Sequence, residues 1–159
     1  MTGLDEARFR EVLGHFATGI TIVTADEQGE PVGFTCQSFA ALSLDPPMVI
    51  LAPAKSSTSW PRIAQAGAFC VNVLEEHQES IARTFAVSGG DKFDGVEWAP
   101  GPVTGSPMIA GSLATVECTL GAIYEGGDHE LVTGHVVALG LGEGSPLLFY
   151  RSGFGHFVA

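Results

Sequence analysis

"VGFTCQSFAALSLDPP", residues 32–47, begins as a β-strand and changes character halfway along. Val32, Phe34 and Cys36 alternate with Gly33, Thr35 and Gln37, the period-two pattern of a strand with one buried face. An amide at Gln37 and hydroxyls at Ser38 and Ser43 then interrupt the apolar run before Asp45-Pro46-Pro47 imposes a turn. Polar groups at the end of an otherwise apolar strand suggest that the strand ends against something it must bind or bond.

Upstream, "ITIVTAD" reads as a strand and Gln28-Gly29 as a turn, so residues 20–40 form a predicted hairpin. Downstream, "MVILA" is a short apolar strand. "STSWPRIAQAG" is a predicted short helix with hydroxyl caps, Pro61 in its first turn and Gly67 at its end. "AFCVNVL" is a buried strand, and "EEHQESIARTFA" has helical spacing at Ile81, Ala82 and Phe85 with acids in its first turn. Residues 88–111 are dense in Gly and Pro yet carry recurring aromatic and apolar anchors, so they read as a structured excursion. "SLATVECTLGAIYEGGDHELVTGHVVALGL" is two long strands around Gly126-Gly127-Asp128, and "SPLLFYRSGFGHF" adds a last strand and an aromatic tail. Near the N-terminus, Phe9, Val12, Leu13 and Phe16 mark one face of a helix expected over about Leu4 to Ala17. Many short strands with a few helices predict a mainly β fold with peripheral helices, closed into an antiparallel barrel because closure removes exposed edges.

A length of 159 residues suits one domain, so 1–159 is read as a single unit. Hydrophobic residues make up 45% and charged residues 16%, and a chain so short of polar surface is expected to bury some of it in an oligomer. No apolar run approaches the ~20 residues of a membrane span, and "MTGLDEARFR" has no signal-peptide core, so a cytoplasmic protein is expected. The net charge of −11 argues against a nucleic-acid surface, and any anionic ligand must meet a local exception to it. Cys36, Cys70 and Cys118, odd in number and set in strand-like segments, read as buried thiols of a reducing compartment.

The sequence has no GxGxxG after a strand, no GxxxxGK[ST], no HExxH and no GxSxG. Three subtler groupings remain. "KSSTSW" sets Lys55 beside hydroxyls at a helix start, where free N–H groups and an ammonium suit a phosphate; plain helix capping is the alternative. "TCQSF", residues 35–39, offers an amide and hydroxyls that could read the polar edge of a flat heterocycle, or could be an ordinary polar loop. "GGDH" puts His129 on a hairpin tip, as a ligand contact or as a solvated turn residue. His15, His77, His135 and His156 share no metal-ligand spacing and receive no role, so no metal is expected.

Taken together, "GHFATGITIVTA", "GFTCQSFAALSLDPP", "KSSTSW", "AFCVNVL", "DKFDGVEW", "GSPMIAGSLATVEC", "GGDHELVTGHV" and "PLLFYRSGF" occur in the order seen in short-chain flavin reductases of the split β-barrel class. These are reductase components of two-component flavin-dependent monooxygenases. The likeness runs from about Phe9 to Phe157, and "CQSFAALSLDPP" resembles reductases whose partners hydroxylate phenolic rings, including the steroid-degradation type.

The resemblance implies an FMN-binding, Greek-key split barrel and a homodimer. It implies hydride transfer from NADH to FMN or FAD, with NADPH left open, and diffusion of the reduced flavin to a separate monooxygenase. It places Thr35, Cys36, Gln37 and Ser38 along the flavin ring and ribityl chain, and Ser43 and Leu44 at a second flavin-contacting turn. Ala52 to Lys55, with Ser57 and Thr58, fall at the phosphate end, and Phe85 closes over the flavin. His129 falls at the nicotinamide and Phe154 beside its pocket, and no side chain acts as a covalent catalyst. Cys36 and Gln37 replace commoner residues of the family, which leaves FMN against FAD open, and no Arg cluster is present to clamp a 2′-phosphate, which favours NADH. The rival reading is a non-catalytic flavin- or haem-binding barrel serving storage or sensing.

Overall fold

The computed structural model describes residues 3–159. Asp5 caps helix α1, Glu6–Leu13, by accepting the Ala7 N–H at 3.0 Å, and Gly14 closes it after barely two turns. The helix is shorter than the expected Leu4 to Ala17, and its apolar face is not buried: Phe9, Val12, Leu13 and Phe16 are each at least half exposed. Beyond it, Thr18-Gly19 forms strand β1 and pairs with strand β11, Leu147–Tyr150.

The expected hairpin follows as β2, Thr21–Glu27, and β3, Glu30–Cys36, in register from Thr21 opposite Cys36 to Glu27 opposite Glu30. The chain then breaks at Gln37-Ser38 and restarts as β4, Phe39–Leu44, which turns back into β5, Pro47–Leu51. Helix α2, Trp60–Ala66, ends on Gly67 in the left-handed region at φ 74°, which glycine adopts without penalty. Then come β6, Ala68–Val73, helix α3, Glu79–Phe85, and the excursion, which contains a small hairpin of β7, Trp98–Pro100, and β8, Pro107–Ile109. The long hairpin is β9, Ala114–Gly126, and β10, His129–Leu141; β12, Gly153–His156, follows β11.

Seven strands form one antiparallel sheet in the order β3-β2-β6-β9-β10-β5-β4. The first and last strands of that order are joined by only two residues, and three Cα steps span at most about 11 Å. The sheet must therefore coil until its two edges meet. Two register shifts between β9 and β10 bend the long hairpin into this coil. Gly134 lies on the bend, where a β-carbon would come within 2.6 Å of the Phe69 ring, so only glycine lets β10 cross so closely. The closed barrel expected from the sequence is not completed by hydrogen bonds among the described residues, since no ladder joins β3 to β4. The β4–β5 register instead runs on by one residue: the Ser38 hydroxyl donates to the Ala52 carbonyl at 2.9 Å, and the Ala52 N–H donates to the Ser38 carbonyl at 3.1 Å.

One apolar cluster fills the coil beneath α2, with Val23, Phe34, Leu51, Ile63 and Phe69 among its members. A second cluster, including Ile22, Leu74, Phe85, Phe93 and Ile109, packs α3 and the excursion on the sheet's other side. Asn72, fully buried, locks the excursion to both. Its amide donates to the carbonyls of Ile22 and Pro107 at 3.1 and 3.3 Å, and its oxygen accepts the Ile109 N–H at 2.8 Å. Removing it takes the partner from the buried Ile109 N–H and a donor from the Ile22 carbonyl, while the Pro107 carbonyl keeps the Thr24 hydroxyl. Asn72→Ala should therefore cost about 2–4 kcal/mol in urea unfolding with the m-value unchanged. A loss below about 0.5 kcal/mol would contradict this role for Asn72.

Candidate functional site

The break between β3 and β4 opens onto a cleft of about 760 Å³, inside the ~300–1,000 Å³ range of small-molecule sites. Its apolar walls come from Phe34 and Phe39 on either side of the break, from Ile50 and Leu51 on β5, and from Phe85 at the end of α3. Leu13 and Phe16 overhang it from the N-terminal segment. Phe85 can lie flat against β3 because Gly33 has no side chain; a β-carbon there would sit 3.0 Å from the ring.

Several polar groups at the break are engaged by the protein itself. The Thr35 hydroxyl donates to the Ala82 carbonyl at 2.6 Å, fastening α3 to β3, and the Ser38 hydroxyl donates to the Ala52 carbonyl at the end of β5. Phe39 N–H donates back to the Gln37 carbonyl at 3.0 Å in a three-residue turn, which turns the chain out of β3. The Gln37 amide has no protein partner among the described residues and is the uncommitted polar group at the seam.

Residues 52–59 form the opposite wall. Ser57 accepts the Trp60 N–H at 3.1 Å, so the hydroxyl cap of α2 comes from Ser57 and not from Ser59, which caps with no side-chain bond. Ser56 and Thr58 line the cleft with hydroxyls free of protein partners among the described residues. The β9–β10 tip docks on this wall. Lys55 N–H donates to the Asp128 carbonyl and Glu130 N–H to the Pro53 carbonyl, both at 2.9 Å, and the Trp60 indole donates to Glu130 at 2.6 Å. His129 is thereby held at the cleft rim, with Nδ1 2.8 Å from the Asp128 carboxylate. That hydrogen bond holds the Asp128 carboxyl below its ordinary range.

Of the residues expected at the site, the cleft gathers Thr35, Cys36, Gln37, Ser38, Ala52, Ser57, Thr58, Phe85 and His129. It does not gather four others. The Lys55 ammonium points away and pairs with Glu125 at 2.5 Å. Ser43 and Leu44 lie at the far end of β4, which leads away from the seam at about 3.3 Å per residue. Phe154 packs on Phe149, with ring centroids 5.2 Å apart, and under the Arg83 guanidinium. The cation that does line the cleft is Lys92, from the "DKF" of the excursion. Sequence reasoning passed over it; its one signal was being one of only two lysines in an acidic chain.

The cleft is apolar on its faces, with an amide at one end and hydroxyls with an ammonium at the other, a donor set that fits a flavin and its phosphate. Residues 13–157 match the flavin reductase like domain, and the chain belongs to that family. It is 51% identical over 149 residues to the reductase subunit HsaB of a flavin-dependent monooxygenase from Rhodococcus jostii, covering 93% of this chain and 76% of that protein. The solved structure of nitrilotriacetate monooxygenase component B homolog from Mycobacterium thermoresistibile superposes with a TM-score of 0.93 at 48% identity, over 97% of this chain and 87% of the other. The NADH:FAD oxidoreductase SgcE6 of Streptomyces globisporus, solved with NAD and FAD fragments, gives a TM-score of 0.92 at 39% identity, over 97% and 93%.

All three cysteines are free and buried. Burial, together with the Glu117 carboxylate, pushes the Cys70 and Cys118 thiols up to about 12, and burial raises Cys36 against opposing hydrogen bonds from Ser38. A thiol above its ordinary value is mostly protonated at pH 8 and a poor nucleophile. Ellman's reagent at pH 8 should therefore find no fast thiol in the folded protein and three after unfolding, with Cys36, the one that lines the cleft, slowed further by added FMN. A rapidly reacting native thiol would contradict these environments.

Proposed function

We propose that the protein is an NADH-dependent flavin reductase that reduces FMN or FAD and releases the reduced flavin to a separate monooxygenase acting on a phenolic or aromatic ring. The observation that carries this reading is the cleft at the β3–β4 break, with apolar faces for a ring and a polar group at each end. When both are bound, NADH gives a hydride from C4 to flavin N5, water supplies the accompanying proton, and NAD⁺ and reduced flavin result. The chain's own residues bind and orient. Phe34, Phe39 and Phe85 offer apolar surface, Gln37 offers an amide to the ring edge, and Ser56, Ser57 and Thr58 offer hydroxyls to the phosphate end.

His129 is assigned to the nicotinamide. Its position at the rim beside Asp128 suits a hydrogen bond to the dinucleotide, and hydride transfer needs no proton from it. The open ladder order, with no pairing between β3 and β4 among the described residues, supports the split form of the barrel, and the family match over residues 13–157 supports one domain. Homodimerisation is supported by an apolar surface. Met48 on β5 lies opposite His135 on β10, which brings the Leu44 end of β4 beside the exposed second half of β10. There Leu44, Leu139 and Leu141 are 96%, 77% and 93% exposed. Buried free thiols suit the reducing cytoplasm, and no helix among the described residues is long and apolar enough to cross a membrane.

NADH oxidation followed at 340 nm should rise with added FMN or FAD and saturate. Flavin-free protein that oxidises NADH equally well without flavin, or binds flavin but never oxidises NADH, would overturn the proposal; the second result would favour a non-catalytic binder. His129→Ala should raise KM for NADH about five- to tenfold, matching one lost hydrogen bond of ~1 kcal/mol, with kcat retained. A ~100-fold fall in kcat at constant KM would make it a general acid instead. Leu139→Arg combined with Leu141→Arg should convert a dimer to a monomer in sedimentation; an unchanged mass would remove this face as the interface.

A further inference from the structure

We infer that Lys92 supplies the positive charge that holds the flavin phosphate, so that the cleft distinguishes phosphorylated flavins from riboflavin through this residue and not through Lys55. The inference rests on the flavin reading above. Its basis is the distribution of charge. Arg8, Arg10, Lys55, Arg62 and Arg83 each pair with a carboxylate. Lys92 has no carboxylate partner among the described residues, and it lines the cleft.

Its ammonium is held by three neutral acceptors, each from a different wall. The Gly33 carbonyl of β3 and the Phe85 carbonyl of α3 lie at 3.2 Å, and the Ser59 hydroxyl at the start of α2 lies at 3.3 Å. These are longer than the ~2.7–2.9 Å of an ammonium bonded to an ionised oxygen. The residue is half-buried, and burial pushes its ammonium below the usual lysine range, which reflects a charge that the surrounding neutral groups solvate incompletely. An anion at the Ser56–Ser59 wall would complete that solvation. Because the whole chain carries −11, one uncompensated cation at this spot decides whether a phosphate is attracted or repelled.

The test compares FMN and riboflavin binding, by flavin fluorescence, in the wild type, Lys92→Met, Lys92→Arg and Lys55→Met. Lys92→Met should weaken FMN about 10- to 150-fold and leave riboflavin within about twofold. Lys92→Arg should keep most of the FMN affinity, and Lys55→Met should change neither ligand. Equal losses for FMN and riboflavin in Lys92→Met would reduce Lys92 to a brace between the three walls and overturn the inference, as would selective FMN loss in Lys55→Met. Wild-type binding gives an independent check should Lys92→Met fail to fold: FMN affinity should fall with added KCl while riboflavin affinity holds, and equal salt dependence would overturn the inference. A wild type that binds neither flavin would overturn the flavin reading itself, a result distinct from the others.

Discussion

The two-residue link Gln37-Ser38, which joins the first and last strands of the sheet order, is the constraint on which the architecture turns. A seven-stranded sheet that coils far enough for its ends to meet could close by a full ladder, and this one does not. No ladder joins β3 to β4 among the described residues; Ser38 and Ala52 continue the β4–β5 register, and the Gly33 carbonyl of β3 accepts the Lys92 ammonium. That incomplete closure leaves a mouth between the edges, and the mouth is the cleft. The polar residues that interrupt the apolar strand at Gln37 and Ser38 are thus explained: Ser38 extends the β4–β5 pairing to Ala52, while Gln37 is left to face what enters the mouth.

Everything around the mouth is placed by contacts that lead back to the seam. Thr35, three residues before Ser38, fastens α3 and so sets Phe85 against Gly33. Residues 53–55, just after Ala52, receive the β9–β10 tip and fix His129 at the rim. Lys92 reaches the same place from a distant excursion that Asn72 anchors from below. Three chain segments far apart in sequence therefore meet at a site where an acidic protein presents a positive charge.

Local periodicity made much of the fold legible. The two hairpins, the short helix ending on Gly67 and the strand "AFCVNVL" all form where alternation, turn residues and caps placed them. The first helix forms where its apolar spacing placed it, but Gly14 stops it early and the apolar face lies open. That Thr35 to Ser38 line one cleft was readable because a single segment carries them together. The pairing of Lys55 with Glu125 was not legible, because a lysine beside hydroxyls says nothing of a carboxylate seventy residues later. Lys92 was missed for the converse reason: its three acceptors come from three separate elements, and no local pattern announces such a meeting.

The central claim is that the seam between the sheet's edges is the flavin site. A crystal structure of the protein soaked with FMN tests it most directly. The account predicts the ring against Gln37 and Ser38 between Phe39 and Phe85, and the phosphate beside Ser56–Ser59 within hydrogen-bond reach of Lys92. A flavin bound away from the β3–β4 break, or one whose phosphate met Lys55 instead, would contradict it.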